Sequence, residues 1–400
     1  MHEILSSGGY NLEIMAEKYS EKSILILAAG AKGAIGSTLA AAVCSLNQGE
    51  KIVGDYLATQ DRFERLGISS FFNFAGWDKN PISLRDAVNA SGVVPKDISL
   101  DYRENLLTIG IKPPPDENMD LKSKVLHLMT DIREFRMNFP DDIPVLVNLL
   151  PACSEHGLAS VSSLESLYEA KASRNIPDLA YVLAGVLSGV PVINFTPNEV
   201  ELPVVLEEAR RQQVPVAGRD GKTGQTYFKM VLASALKARK LRVDGWYSLN
   251  ILGNADGKNL MEPGNVAGKL KNKTDFLDDV LGYRVGKDYD APSHKVHIDY
   301  YPPRGDAKEA WDVIDFTGIF NMPMSMRLNL QGRDSILAAP LVLDLSRWMA
   351  ALFRVGRSGP VAELAFYFKK PVGPVSGVTF EEQVRALNLL DRECAGPVVR

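Results

Sequence analysis

The feature that most constrains this chain is the junction that begins at residue 23. SILILAA (23–29) is a continuous apolar run closed by glycine, the pattern of a strand buried on both faces of a parallel sheet. Gly30, Ala31, Lys32, Gly33, Ala34, Ile35, Gly36, Ser37 and Thr38 follow, and then LAAAVCSL, a helix rich in small residues. Strand, glycine-spaced turn and helix together make a dinucleotide fingerprint. The glycines let the backbone approach a pyrophosphate, and the helix N-terminus attracts its charge. The spacing is GxxGxxG rather than GxGxxG, with Lys32 where a second glycine usually stands. Residues 30–37 are therefore cofactor-binding candidates. KIVGDYLA (51–58) reads as the next strand, and Asp55 near its end lies about 20 residues past the glycines, where an acid holds the ribose and favours NAD over NADP.

Alternation of strands and helices continues. FFNFAGWDKN (71–80) is an aromatic segment whose Gly76, Trp77 and Asp78 read as a loop at a strand end. Leu121, Val125, Leu126, Met129, Ile132 and Phe135 recur at helical spacing. PVLVNLLP (144–151) reads as a buried strand, LAYVLAGVLSG (179–189) as a helix, and VPVINFTP (190–197) as the strand after it. Such alternation means a doubly wound parallel sheet. VPVAGRDGKTGQTYFKMVLASALKARK (214–240) repeats the strand, polar loop and helix. Thr223, Gly224, Gln225 and Thr226 sit at the helix start, where backbone N–H groups, two hydroxyls and an amide could cradle a phosphate. An ordinary N-cap would need only one of those hydroxyls. After residue 241 the pattern changes. KVHIDYYPP (295–303), IDFTGIFNMP (314–323) and SMRLNLQG (325–332) alternate like antiparallel strands. DSILAAPLVLDLSRWMAALFRV (334–355) is a long helix returning to a core, its apolar run interrupted by Pro340, Asp344 and Arg347.

Lysines mark the stretch 249–279. GNADGKN, with Gly253, Asn254, Asp256 and Gly257, is a tight polar loop. Lys269 and Lys273 follow, four apart and so on one face of a helix, where like charges repel. Either they are a solvated face with Asp275, Asp278 and Asp279 as counter-ions, or an anion sits between them. The whole chain narrows the classes. Four hundred residues suggest two domains or one large domain with an insertion, and a net charge of −4 argues against general nucleic-acid binding. No run approaches the ~18 uncharged apolar residues of a membrane span. The N-terminal stretch carries Glu3, Glu13, Glu17 and Glu21 and no apolar signal core, so a cytoplasmic location is expected. Cys44, Cys153 and Cys394 form neither a disulfide framework nor a zinc motif, and the five histidines show no ligand spacing.

These residues together resemble the myo-inositol-phosphate synthase family, enzymes that cyclise glucose 6-phosphate. The likeness is densest in AGRDGKTGQT (217–226), SLNILGNADGKNL (248–260), GKLKNKTDFLDD (268–279), RGDAK (304–308) and DSILAAPLVLDL (334–345), with GWD (76–78) and GVPVINFTP (189–197) in support. It implies a Rossmann-like domain from 1–230 and 332–400, with an inserted α/β catalytic and tetramerisation domain at 231–331. It implies a phosphate loop at Thr223, Gly224, Gln225 and Thr226, joined by Asn254, and catalytic roles for Asp256, Lys269, Lys273, Asp306, Lys308 and Lys369. Asp78, Asp334 and Ser335 join the cofactor-binding set. In one strand the family places a lysine where this chain has Asp299, so Lys295 or His297 would substitute, or the substrate would differ.

The implied reaction joins NAD to lysines. Oxidising the C5 hydroxyl of the open-chain sugar phosphate acidifies C6, the resulting enolate attacks the C1 aldehyde, and the ketone is reduced again. Each step develops charge on oxygen that pre-placed ammonium groups stabilise. Two alternatives stand beside this reading. One is a sibling cyclase that closes a five-membered ring from fructose 6-phosphate, supported by Asp299. The other is a non-catalytic NAD-binding scaffold. A monovalent or divalent cation is a further candidate ligand, with no residues assigned to it.

Overall fold

Ile24–Ala29 (β1) is wholly buried and pairs in parallel with Phe72–Trp77 (β2) on one side and Ile143–Asn148 (β4) on the other. A computed structural model describes residues 23–58, 60–69, 71–153, 157–254, 257–258, 261, 276–286, 293–375 and 377–395. Ile111–Lys112 (β3), Val192–Asn194 (β5), Pro215–Gly218 (β6) and Gly359–Pro360 (β11) complete a seven-stranded parallel sheet in the order β11-β6-β5-β4-β1-β2-β3. Six of these strands follow the dinucleotide-binding order 3-2-1-4-5-6, with its switch point between β1 and β4.

Helices cover both faces because strands buried on two sides need two apolar partners. Ala34–Asn47 (α1) and Asp334–Arg354 (α6) pack on one face with Leu39, Val43, Val342 and Trp348. Leu121–Asn138 (α2), Pro177–Leu187 (α3) and Pro203–Arg211 (α4) pack on the other with Leu128, Leu183 and Val205. Helix α6 is long and apolar enough to cross a membrane by length and composition, but most of it is buried inside the protein, as expected of a core helix. Gly224–Ala238 (α5) instead covers a second sheet through Met230, Ala233 and Leu236, and Phe380–Cys394 (α7) packs alongside α5. That sheet has the order β10-β9-β7-β8, from Arg242–Leu252 (β7), His294–Tyr300 (β8), Lys308–Thr317 (β9) and Pro323–Gly332 (β10).

Several expectations change. KIVGDYLA is not a strand: Lys51–Gly54 is one helical turn, and Asp55 is exposed in the turn after it. Both edges of β1 are already taken by β2 and β4, so no place beside it is left for that segment. Of the three residues read as a loop at a strand end, Gly76 and Trp77 are the last residues of β2, and only Asp78 lies beyond it. Gly76 lies so close to Ala28 that a Cβ would stand 2.1 Å from its carbonyl oxygen, so this glycine serves strand contact rather than a turn. Strand β7 carries the centre of the small sheet, and β8 pairs with it in parallel, although β9 and β10 are antiparallel as expected. The run 314–323 divides into the end of β9 and a turn at 318–322.

Candidate active site

Gly30 leaves β1 in the left-handed region (φ +89°), and the backbone N–H groups of Gly30 and Ala31 donate to the Trp77 carbonyl at 2.9 and 3.1 Å. The loop is thereby tied to the end of β2. Gly33 is the N-cap of α1, with no side-chain cap and no acid in the first turn. A helix start without a capping side chain and without negative charge suits an anion. The two later glycines divide the work. A Cβ on Gly36 would stand 2.5 Å from the Gly30 carbonyl oxygen and 2.6 Å from that of Ala31, so Gly36 is where helix meets loop. A Cβ on exposed Gly33 would meet only the Gly30 oxygen, at 3.4 Å, leaving its outer side open to a ligand. Ser37 is buried, with its hydroxyl given to the Ala34 carbonyl. The residues present therefore fit a dinucleotide pyrophosphate.

Asp78, not Asp55, follows the strand paired with β1. Its Oδ2 accepts the Lys32 backbone N–H at 2.7 Å, and its Oδ1 accepts that of Asn80 at 2.8 Å. Asp78 thus stands at the corner where the fold carries its ribose-binding acid.

On the same edge of the sheet, the chain leaving β6 pairs with the segment 367–370. Arg219 and Lys370 exchange backbone hydrogen bonds (2.8 and 3.1 Å), Lys369 N–H donates to the Asp220 carbonyl (2.7 Å) and Lys222 N–H to that of Tyr367 (2.8 Å). This backbone ladder delivers Lys369 from a distant part of the sequence. Its Nζ lies 2.7 Å from Asp220 Oδ1. Lys222 is buried below it, donating to the Ala365 carbonyl at 2.9 Å and to Gln383 Oε1 on α7 at 2.8 Å. Burial, and then the Lys369 charge, pull the Lys222 pKa down to about 7.

Three elements start around one carboxylate. Asp334, the first residue of α6, accepts Thr223 Oγ1 at 3.4 Å on Oδ1 and Lys308 Nζ at 3.2 Å on Oδ2. Thr223 is the N-cap of α5 but does not cap it with its side chain, and Lys308 opens β9. Gly224 and Ser335 are buried beside this junction, and Thr226 is half-buried. Gln225 departs from expectation. Its amide donates to Asp312 Oδ2 at 2.9 Å and is buried, so it ties α5 to β9 instead of facing a phosphate. Asp312 Oδ1 also accepts Trp246 Nε1 at 2.8 Å and Ser248 Oγ at 2.5 Å. Lys229 donates to Ser248 Oγ and meets His294 Nε2, both at 3.0 Å. Burial lowers the Lys229 pKa to about 8, against the opposing pull of Asp312.

Asn254 Nδ2 donates to Asp306 Oδ1 at 3.3 Å, so these two expected site residues are neighbours. Asp256, Lys269 and Lys273 lie outside the described residues. Asp299 is exposed, and Lys295 and His297 share its exposed face of β8, opposite buried His294. A lysine at position 299 would lie on this same face, so Lys295 and His297 are its neighbours along the strand. Reading the sequence missed Asp220, Lys222, Lys229, His294 and Asp312. Asp220 and Lys222 sat inside AGRDGKTGQT, whereas nothing local marked the other three.

A parallel sheet wound in dinucleotide order, with an anion-ready helix start beside its first strand, puts this chain in the Rossmann-like nucleotide-binding class. Residues 224–335 match the family model described as myo-inositol-1-phosphate synthase. Inositol-3-phosphate synthase 1 of Bacteroides thetaiotaomicron is 34% identical over 351 residues, covering 82% of this chain and 79% of that protein. The chain belongs to the inositol-3-phosphate synthase family. Two solved structures share the fold. The inositol-3-phosphate synthase of Caenorhabditis elegans superposes with a TM-score of 0.81 at 22% identity, over 94% of this chain and 87% of that one. A myo-inositol-1-phosphate synthase-related protein of Thermotoga maritima gives 0.73 at 23% identity, over 94% and 98%.

Proposed function

We propose that this protein is an NAD-dependent cyclase that converts glucose 6-phosphate into 1D-myo-inositol 3-phosphate. What supports the reading most is the pairing of two lysines with separate carboxylates at one edge of the sheet, Lys369 with Asp220 and Lys308 with Asp334. Both ammonium groups are partly buried, so each keeps its charge aimed and only partly screened. In this reading residues 30–37 and Asp78 hold the dinucleotide, with Asp334 and Ser335 completing its site. NAD, when bound, supplies reversible hydride transfer at the carbon bearing the C5 hydroxyl. Lys369 and Lys308 stabilise the alkoxide and enolate oxygens, and Lys369 passes a proton with Asp220 as its counter-charge. A neutral Lys222 beneath Lys369 keeps like-charge repulsion low above pH 7. Lys269 and Lys273 complete the cation set, and Asp256 positions a cofactor or substrate hydroxyl. The α5 start binds the phosphate through backbone N–H groups, Thr223 and Thr226.

We read 1–230 and 332–400 as the cofactor-binding unit and 231–331 as the catalytic and assembly unit. The outer face of the small sheet exposes Tyr247 and Trp311, which suits burial against another copy in a homotetramer. The test is incubation with NAD and either glucose 6-phosphate or fructose 6-phosphate, followed by identification of the phosphorylated products. A six-membered cyclitol phosphate from glucose 6-phosphate is expected. Consumption of fructose 6-phosphate alone, giving a five-membered ring, would replace this reading with the sibling cyclase.

A further inference from the structure

The corner of the cofactor site that faces the ribose carries a cation in addition to its acid. Lys32 replaces the glycine usual at its place in the loop. Its main chain donates to Asp78 Oδ2 at 2.7 Å, while its Nζ reaches over the end of β2 to the Asn80 carbonyl at 2.7 Å. One residue therefore bridges the glycine loop to the segment after β2. Both Asp78 oxygens already accept backbone N–H groups, from Lys32 and Asn80, so this carboxylate also serves as a loop clamp. The hydrogen-bond partner of Lys32 Nζ among the described residues is a neutral carbonyl, which leaves its charge uncompensated by a carboxylate there. Lys79, next to Asp78, is exposed on the same segment.

In this fold an acid after β2 selects NAD because its charge repels a 2′-phosphate, and enzymes that accept the phosphate place a cation nearby. We propose that Lys32 opens this cofactor site to nicotinamide dinucleotides carrying a 2′-phosphate, so that NADP binds as well as NAD. The inference rests on the cofactor part of the proposed function. A unit charge within several ångströms of a phosphate at a half-exposed site changes affinity by roughly tenfold or more. A reaction with no net redox draws on neither the NAD nor the NADP pool, so it sets no demand for strict selection between them.

The test is titration of the full chain with NADH and NADPH, followed by cofactor fluorescence and by calorimetry, for the native protein, Lys32→Met and Lys32→Gly. The native protein is expected to bind NADPH within about tenfold of NADH, and salt should weaken NADPH more steeply. Each variant should lose roughly tenfold or more in NADPH affinity beyond any loss it shows for NADH. Tight NADH binding with NADPH weaker by about a hundredfold in the native protein would overturn the inference and leave the cofactor reading standing. Equal losses for both cofactors in the variants would overturn it too, by making Lys32 a loop brace. Binding of neither cofactor would overturn both. Should the variants fail to fold, the native ratio and its salt dependence decide.

Discussion

Replacing Gly33 and Gly36 separately by alanine should split cofactor binding from folding. At Gly36 the new methyl would sit 2.5 Å from the Gly30 carbonyl oxygen and 2.6 and 2.7 Å from the Ala31 carbonyl oxygen and carbon. All three are backbone atoms, so no side chain can swing away, and α1 must back off the loop by roughly 0.5 to 1 Å. Overpacking of this kind costs about 1–3 kcal/mol. Any bulkier residue at Gly36 would disturb the fold and not merely the ligand. Gly33 differs. Its backbone (φ −67°, ψ 172°) suits alanine, and the methyl meets a single atom at 3.4 Å. Gly33→Ala should therefore keep native stability within about 0.5 kcal/mol. It should still weaken dinucleotide binding by roughly tenfold or more, because in the proposed cofactor site the methyl would stand where the pyrophosphate approaches. Denaturant titration measures the first quantity and calorimetry with NAD the second. If Gly36→Ala proved as stable as the native protein, or if Gly33→Ala bound NAD normally, the division of labour between these glycines would be refuted.

Three further outcomes follow from the site. Asp220→Asn should leave Lys369 without its counter-charge and lower turnover by roughly tenfold to a hundredfold with NAD affinity unchanged, measured as steady-state rate beside calorimetry. Lys222→Met should flatten the pH dependence of stability. The native pKa of Lys222, near 7, lies below its ordinary 10.5, so between these values the unfolded chain holds a proton that the folded chain lacks. Stability then rises with pH across that window, by up to about 1.4 kcal/mol per unit, and an unchanged slope in the variant would contradict the assignment. Lys273→Ala should cost about two orders of magnitude or more in product formation while NAD binding survives, and full product yield would make this lysine a solvated charge.

How much of this was legible depended on the range of the interaction. Strand β1, its glycine turn and α1 could be read because one continuous segment carries apolar run, breaker and helix in order. The end of β2 was misplaced because Gly76, a close strand contact with Ala28, looks like a turn residue when the neighbour is unknown. Taking Asp55 for the ribose acid followed from reading 51–58 as the next strand, since the acid's place is set by which strand pairs with β1. The parallel pairing of β8 with β7 was not legible, because alternation reports a half-exposed strand and not its partner's direction. Lys369 was placed by family likeness, but its partner Asp220 needed the backbone ladder between 219–222 and 367–370. The tie of Gln225 to Asp312 is a contact between residues far apart in the chain, so the amide looked like a phosphate ligand from local spacing.

The central claim is an aldol ring closure without net oxidation. It is tested most directly by NMR of glucose 6-phosphate labelled with carbon-13 at C1 and C6, incubated with the enzyme and a small fraction of one equivalent of NAD. The account predicts complete conversion to a cyclic phosphate in which C1 and C6 show a one-bond carbon–carbon coupling, with no build-up of NADH. Conversion that stops when the NAD is exhausted, or a product in which C1 and C6 remain uncoupled, would contradict it.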